Sequence, residues 1–415
     1  MVASVQIELS ETMMSKEETM YVVILLQKHF KKSLSNIHVK RINRLLLTAE
    51  SLLLRAKLTV TSLGRHTKGS AYVKHKIKAV DRILSNKHIL KERINIYKSI
   101  AEKLIGGLTR VDIIVDWSPA GNHENHILRA SLLLNEYSMT IYEEVHPQKL
   151  LGNYKIHKAF LEKLKLILPA QIYPVVITDA GFKVNWFKLV SSHGWDFEGR
   201  ICNMDYNLGN GDWEKLPKIH ALATRTAKHI GQVLLTKKHQ LQCELYVYRG
   251  AKKATPNAGK KHKNNNFAKE IVRYKKQHND PWVIATSVNI VNKNPKKVID
   301  RYKRRMKIEH GFRSIKNDQW GLGFNETKTR NPYRLSIMLL IAALAMLMLW
   351  LIGMIGEQKL LHYRYQVNSI KKHRVLSLIF LGLQIIEHEL DNILQADLIN
   401  LFGLIQNKEG LQWQQ

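Results

Sequence analysis

Three carboxylates and a run of cations are the residues of this chain whose types and spacing could do chemistry. Asp116 closes the aliphatic run "VDIIVD", Asp179 closes "VVITD", and Glu309 lies inside "DRYKRRMKIEHGFRSIKN", residues 300 to 317, among seven Lys and Arg side chains. A carboxylate after a buried aliphatic run is held at the C-terminal end of a strand, where α/β active sites are built. Two such ends repel each other when ionised, so the pairing makes sense with hard cations between them. With Glu309 as a third oxygen ligand, two Mg²⁺ ions about 4 Å apart would activate a water or a 3'-hydroxyl and stabilise the leaving oxygen at phosphorus. Each acid also has a plain reading: Asp112 and Asp116 as strand-end residues, Asp179 as the start of a turn.

If residues 300 to 317 form one helix, a seven-residue step turns through about 700°, so Tyr302, Glu309 and Lys316 share a stripe with Arg305 one turn before Glu309. Like charges such as Lys303 and Lys307 weaken such a helix unless something anionic lies against it, and a phosphate backbone is the obvious candidate.

The elements that must position these groups follow from the texture of the chain. "VDIIVDWSP", "LRASLLLN" and "SMTIYEEVHP" read as three strands, "HKAFLEKLKLIL" as a helix and "YPVVITDAGF" as a buried strand, an order of β-β-β-α-β. Strand-like pieces recur at "WDFEGRIC", "LQCELYVYR" and "PWVIATS", and residues 251 to 266 form a low-complexity basic tract read as a loop. Residues 1 to 109 read as a basic helical domain with 20 Lys and Arg against 8 Asp and Glu. Within it, residues 58 to 86 read as short helices about a turn, offering Arg65, Lys68, Lys74, Lys76 and Lys78 to phosphates or base edges, or simply as a solvated basic surface.

Bulk composition sets the class of partner. The 415 residues carry a formal charge of +31, far beyond what solubility needs and suited to a long polyanion, with nucleic acid the favoured partner. The only cysteines, Cys202 and Cys243, have no ligand spacing, which argues against a zinc knuckle or a disulfide framework and fits a reducing compartment. The opening "MVASVQIELSETMMSKEE" lacks the apolar core of a signal peptide. Leu335 to Gly356 runs 22 residues without a charge, long enough to cross a bilayer. It is read here as a helix buried in the catalytic core of a soluble protein, with a membrane anchor as the alternative.

"VDWSP", "TDAGF" and "YKRRMKIEHGFRSIK" resemble the three catalytic blocks of DDE transposases of the insertion sequence four family, nearest the insertion sequence ten group. Tyr302, Arg305, Glu309 and Lys316 match its Tyr-x2-Arg-x3-Glu-x6-Lys signature without a gap. The resemblance implies an α/β fold: an RNase H-like core with a β-rich insertion, preceded by a helical DNA-binding domain and followed by a helical C-terminal region. The expected divisions are 1–109, 110–194, 195–280 for the insertion, 281–360 for the rest of the core, and 361–415 with a possible role in dimerisation. The 309 − 179 = 130 positions between the last two acids leave room for that insertion.

By the same resemblance Asp116, Asp179 and Glu309 hold two Mg²⁺ ions, with Mn²⁺ as a substitute, while Tyr302, Arg305 and Lys316 hold phosphates near the cleaved end. Trp282 occupies a place similar to that of a tryptophan that fills or caps the gap left by a displaced base, with a core tryptophan on the last strand as the plain reading. The implied reaction is cut-and-paste: nicking, hairpin formation, hairpin opening and joining of the 3'-OH to target DNA. A homodimer on paired transposon ends of double-stranded DNA, in a bacterial cytoplasm at the nucleoid and away from membranes, is the implied setting. A nuclease on the same core, and a DNA-binding repressor derived from an inactive element, are the alternatives.

Overall fold

The computed structural model describes residues 20–121, 124–134, 137–250, 280–290, 293–370, 372–388, 390 and 393–406. The opening segment and the basic tract 251 to 266 therefore lie outside the described residues. The chain divides into two compact units, one of Met1–Gly107, Ala120–Asn125 and Arg313–Gln412, the other of Leu108–Pro119, His126–Phe312 and Trp413–Gln415.

The first unit is helical: α1 (Tyr21–Ser33), α2 (Val39–Leu53), α3 (Val60–His66), α4 (Val73–Leu84) and α5 (Lys87–Ile105) share it with helices from the end of the chain. A helix apolar on every side has no face to give to water and must be enclosed. That is the case for the 27-residue helix Pro332–Gln358, buried throughout its apolar stretch among α2, α4 and α5 and the later helices Leu378–His388 and Gln395–Gln406. Its packing partners are thus helices from both ends of the chain, in contrast to the expected place inside the catalytic core. Close approach is permitted by glycine: a Cβ on Gly353 would overlap the Leu378 carbonyl, and one on Gly382 would overlap that of Leu349. Helix α2 divides its buried face between the Pro332–Gln358 helix and its neighbours α1 and α3.

The second unit is mixed α/β, built on one ten-stranded sheet. Its strands are β1 (Arg110–Pro119), β2 (Asn125–Leu133), β3 (Ser138–Pro147), β4 (Tyr173–Thr178), β5 (Asp196–Arg200), β6 (Asp205–Asn207), β7 (Glu214–Lys215), β8 (Lys228–Leu235), β9 (Leu241–Tyr248) and β10 (Trp282–Thr286). They lie in the order β3-β2-β1-β4-β5-β10-β9-β8-β6-β7. β1 is antiparallel to β2 and parallel to β4, β4 is parallel to β5, and β10 is antiparallel to both β5 and β9. Helix α6 (Tyr154–Ile167) joins β3 to the parallel strand β4, and α7 (Val184–Ser192) joins β4 to β5; α8 (Pro217–Ala221) follows β7.

The expected β-β-β-α-β order is present. The "WDFEGRIC" strand, assigned from sequence to the insertion, instead pairs with β4 inside the parallel core as β5. The later strands extend this same sheet through β10, with β6, β7 and β8 missing from the sequence reading.

Helix α9 (Pro295–Arg304) carries the start of the cationic run. Asn294 caps it by accepting from the Lys296 and Lys297 amides at 3.0 and 3.3 Å, and Pro295 occupies the first turn, where no amide partner is needed. Its apolar face, Val298, Ile299 and Tyr302, packs on Val175 and Ile177 of β4, Tyr246 of β9 and Ile284 of β10. The expected single helix over 300 to 317 is broken: α9 ends at Arg304, α10 (Lys307–Lys316) begins beyond a two-residue joint, and the joint runs on tight bonds such as Ile308 N–H to Arg305 O and Glu309 N–H to Met306 O, both 3.2 Å.

Candidate active site

Asp116 and Asp179 stand side by side across the β1–β4 pair; Asp179 follows the end of β4 as expected, whereas Asp116 lies inside β1, which runs on to Pro119 paired with β2, and does not close its strand. In the parallel β1–β4 pair Val115 faces Thr178, so the next residue in each case is the aspartate. Each carboxylate is oriented by its own backbone: the Trp117 N–H donates to Asp116 Oδ1 at 2.8 Å, and the Gly181 N–H to Asp179 Oδ1 at 2.8 Å. Glu309 follows in the first turn of α10, where the partial positive charge of a helix N-terminus favours a carboxylate.

Electrostatics place the three in one field. Burial, then Asp179, pushes the Asp116 carboxyl up to about 7; Arg305 opposes this, and Glu309 adds to it. Arg305 donates from Nη1 to Asp116 Oδ2 at 3.1 Å, with only 14% of its side chain exposed. Burial works against that guanidinium's charge, but Tyr302, Asp116, Asp179 and Glu309 outweigh it and raise its pKa.

The cationic run therefore has partners on the sheet that the sequence reading did not give it. Arg301 donates to Glu198 of β5 at 2.7 Å, Arg304 lies 3.7 Å from Asp112 of β1, and Arg305 holds Asp116. Glu198 is fully enclosed; burial drives its pKa up to about 7 against the pull of Arg301. The expected role of these cations was toward phosphate alone.

Tyr302 is buried, its ring edge-on to Trp282 at 5.2 Å, and burial raises the pKa of its hydroxyl. Trp282 begins β10, near the C-terminal end of β5 and hence on the carboxylate edge, half-buried between Tyr302 and Tyr248. Lys316 ends α10, and its residue belongs to the helical unit. In that unit Arg65 and Lys74 are exposed and Lys76 half-exposed, whereas Lys68 is tied to buried Glu50 at 3.2 Å and Lys78 to Asp81 at 3.1 Å.

Sequence reasoning missed Arg129. It is opposite Asp116 on β2, almost fully buried, paired with Glu143 Oε2 at 2.6 Å, and stacked over Phe312 at 4.2 Å, one turn after Glu309. A lone arginine inside the apolar run "HILRASLL" was the available signal. His157 was missed as well, and no spacing pattern marks it.

Three carboxylates without a soft ligand are the donor set a hard divalent cation takes. Among the described residues no group of three or more His, Cys, Asp or Glu side chains stands close enough to hold an ion as placed, and Arg305 covers one Asp116 oxygen. The chemistry of the donors fits such an ion, with Arg305 in the position of a competitor.

Residues 152–348 match the family model described as the transposase DDE domain, a span that contains Asp179 and Glu309 while Asp116 precedes it. That domain indicates a DDE transposase, an enzyme that cleaves DNA and transfers its strands, and enzymes with this domain generally use divalent metal ions. No curated protein matches the chain.

Proposed function

We propose that this transposase works by cut-and-paste: it binds the terminal inverted repeats of its own insertion sequence as a homodimer, nicks, forms and opens a hairpin, and joins the 3'-OH ends to target DNA. The reading rests on one observation above the others, the in-register Asp116 and Asp179 with Glu309 in the same field. The proposed subgroup is the insertion sequence four family, nearest the ten group, on an RNase H-like core; the 3-2-1-4-5 strand order within the sheet supports that core.

Asp116, Asp179 and Glu309 are the proposed ligands of two Mg²⁺ ions, replaceable by Mn²⁺. When bound, such ions supply positive charge at the attacked phosphate and lower the pKa of the attacking hydroxyl. Arg305 exchanges its Asp116 contact for a two-point contact with a DNA phosphate, and Lys316 adds a point charge further along α10. Tyr302, braced by Trp282, shapes the floor beside the bound strand, and the half-exposed indole edge of Trp282 is offered to the displaced base. Arg65, Lys74 and Lys76, with Lys68 and Lys78 as paired neighbours, contact the backbone of the terminal repeat. The setting is the cytoplasm, at the nucleoid.

A strand-transfer assay tests this reading. A plasmid carrying the gene with its flanking DNA, incubated with the protein and Mg²⁺, should yield hairpin ends and then joined products in a target plasmid. Hydrolysis with no joining by added 3'-OH ends would show a nuclease instead.

A further inference from the structure

The two aspartates carry neighbours that converge on one side chain. Trp117, directly after Asp116, donates its indole Nε1–H to His157 Nε2 of α6 at 3.0 Å. Phe182, three residues after Asp179, stacks on the same imidazole with centroids 5.3 Å apart and 24° between planes. Trp186 of α7 closes the group edge-on at 4.9 Å, and His157 is 6% exposed.

A leucine would fill that space as well, so packing alone does not call for a histidine. The imidazole adds a directional acceptor, and the direction matters because of what it holds. The Trp117 amide orients Asp116 Oδ1, and the Gly181 amide that orients Asp179 Oδ1 lies in the same turn as Phe182, whose own N–H returns to the Asp179 carbonyl at 3.4 Å. Each carboxylate is thus aimed by a backbone amide whose residue or turn rests on His157. Burial first, then His146, lowers the His157 pKa to about 4, which keeps Nε2 free to accept near neutral pH.

We propose that His157 is a positioning residue of the transposase: accepting from Trp117 and stacking on Phe182, it clamps the Asp116–Trp117 stretch of β1 and the Asp179 turn at one separation. It touches neither carboxylate and acts only through its two neighbours. The inference rests on the reading of Asp116 and Asp179 as a ligand pair.

The test uses the full chain in four variants: His157→Leu, Trp117→Phe, the double variant, and His157→Gln, which restores an acceptor. Mn²⁺ binding without DNA, followed by electron paramagnetic resonance of the free ion, is measured beside single-turnover nicking of the gene-bearing plasmid, DNA affinity and Tm. His157→Leu and Trp117→Phe should each slow nicking at least ten-fold and weaken Mn²⁺ binding, with DNA affinity unchanged and the double variant no worse than either. His157→Gln should recover part of both losses. Normal nicking and Mn²⁺ binding in Trp117→Phe, or losses that merely follow Tm, would overturn the clamp. Should Asp116→Asn itself nick normally, the ligand-pair reading fails; inactive Asp variants beside a fully active His157→Leu sink the clamp alone.

Discussion

Arg305 and Asp116 form an ion pair across the joint between the cationic helix and the sheet, Nη1 to Oδ2 at 3.1 Å, with 14% and 8% of the two side chains exposed. A guanidinium so placed has two possible duties, neutralising a buried acid and gripping a phosphate, and the two separate in a double-mutant cycle. Arg305→Ala should lower stability in the parent and cost little more in an Asp116→Asn background, because the acid it served is gone. Formation of paired DNA ends should fall in both backgrounds, by about 1.5 to 3 kcal/mol for a charge-assisted contact, or roughly ten-fold to a hundred-fold. Native gels of end complexes and thermal melts read the two quantities; unchanged end pairing in the Asn background would assign Arg305 to the sheet alone.

Glu198 and Arg301 make the pH-dependent counterpart. With its folded pKa raised from 4.5 to about 7, Glu198 keeps its proton in the folded state while the unfolded chain releases it. Stability therefore falls as pH rises from about 4.5 to 7 and levels off above that. Glu198→Gln should match the parent near pH 5 and exceed it near pH 8, by on the order of 1 to 3 kcal/mol in urea unfolding. A variant less stable than the parent at pH 8 would mean that the Arg301 contact outweighs burial.

The long apolar helix gives a packing prediction. Gly353→Ala and Gly382→Ala each drive a methyl into a backbone carbonyl of the facing helix, so each should destabilise by about 1 to 3 kcal/mol, seen as a Tm several degrees lower. The parent protein should also stay in the supernatant without detergent after a carbonate wash. Recovery of the chain in the membrane pellet would overturn the reading of Pro332–Gln358 as a core helix.

Salt dependence distinguishes the lysines of the helical unit. Removing one cation that neutralises a phosphate lowers the slope of log affinity against log salt by about 0.9. Lys74→Ala should show that decrease on terminal-repeat DNA with the full chain. Lys68→Ala should change the slope less, since its ammonium is already engaged by Glu50. Equal slopes for the parent and Lys74→Ala would remove Lys74 from the interface.

Much of the sheet around the candidate site was legible in the chain because its determinants are local. An aliphatic run specifies a buried strand, and this was enough to read β1 and β4; the end of β4 just before Asp179 was legible, but the continuation of β1 past the buried Asp116 to Pro119 was not. The break after Arg304 was not legible: a tight turn and an α-helix both keep a three-to-four-residue spacing, and no Gly or Pro marks the joint. Partners distant in sequence, Arg301 with Glu198 and Arg305 with Asp116, depend on how α9 lies over the sheet, which periodicity does not encode. Pro332–Gln358 was recognisable as buried but not by what, since a helix without a polar face carries no signal of its neighbours. β8 escaped because a bulge between His229 and Gly231 interrupts its alternation.

Whether Asp116, Asp179 and Glu309 act as one catalytic set is read most directly from single-turnover nicking by Asp116→Asn, Asp179→Asn and Glu309→Gln. Each substitution removes a carboxylate oxygen while leaving the cations that hold DNA. All three variants should bind and retard DNA carrying the element's ends as the parent does, yet show no nicking, hairpin formation or strand transfer in Mg²⁺. Cleavage at the parent rate by any one of them would break the set and remove that residue from it.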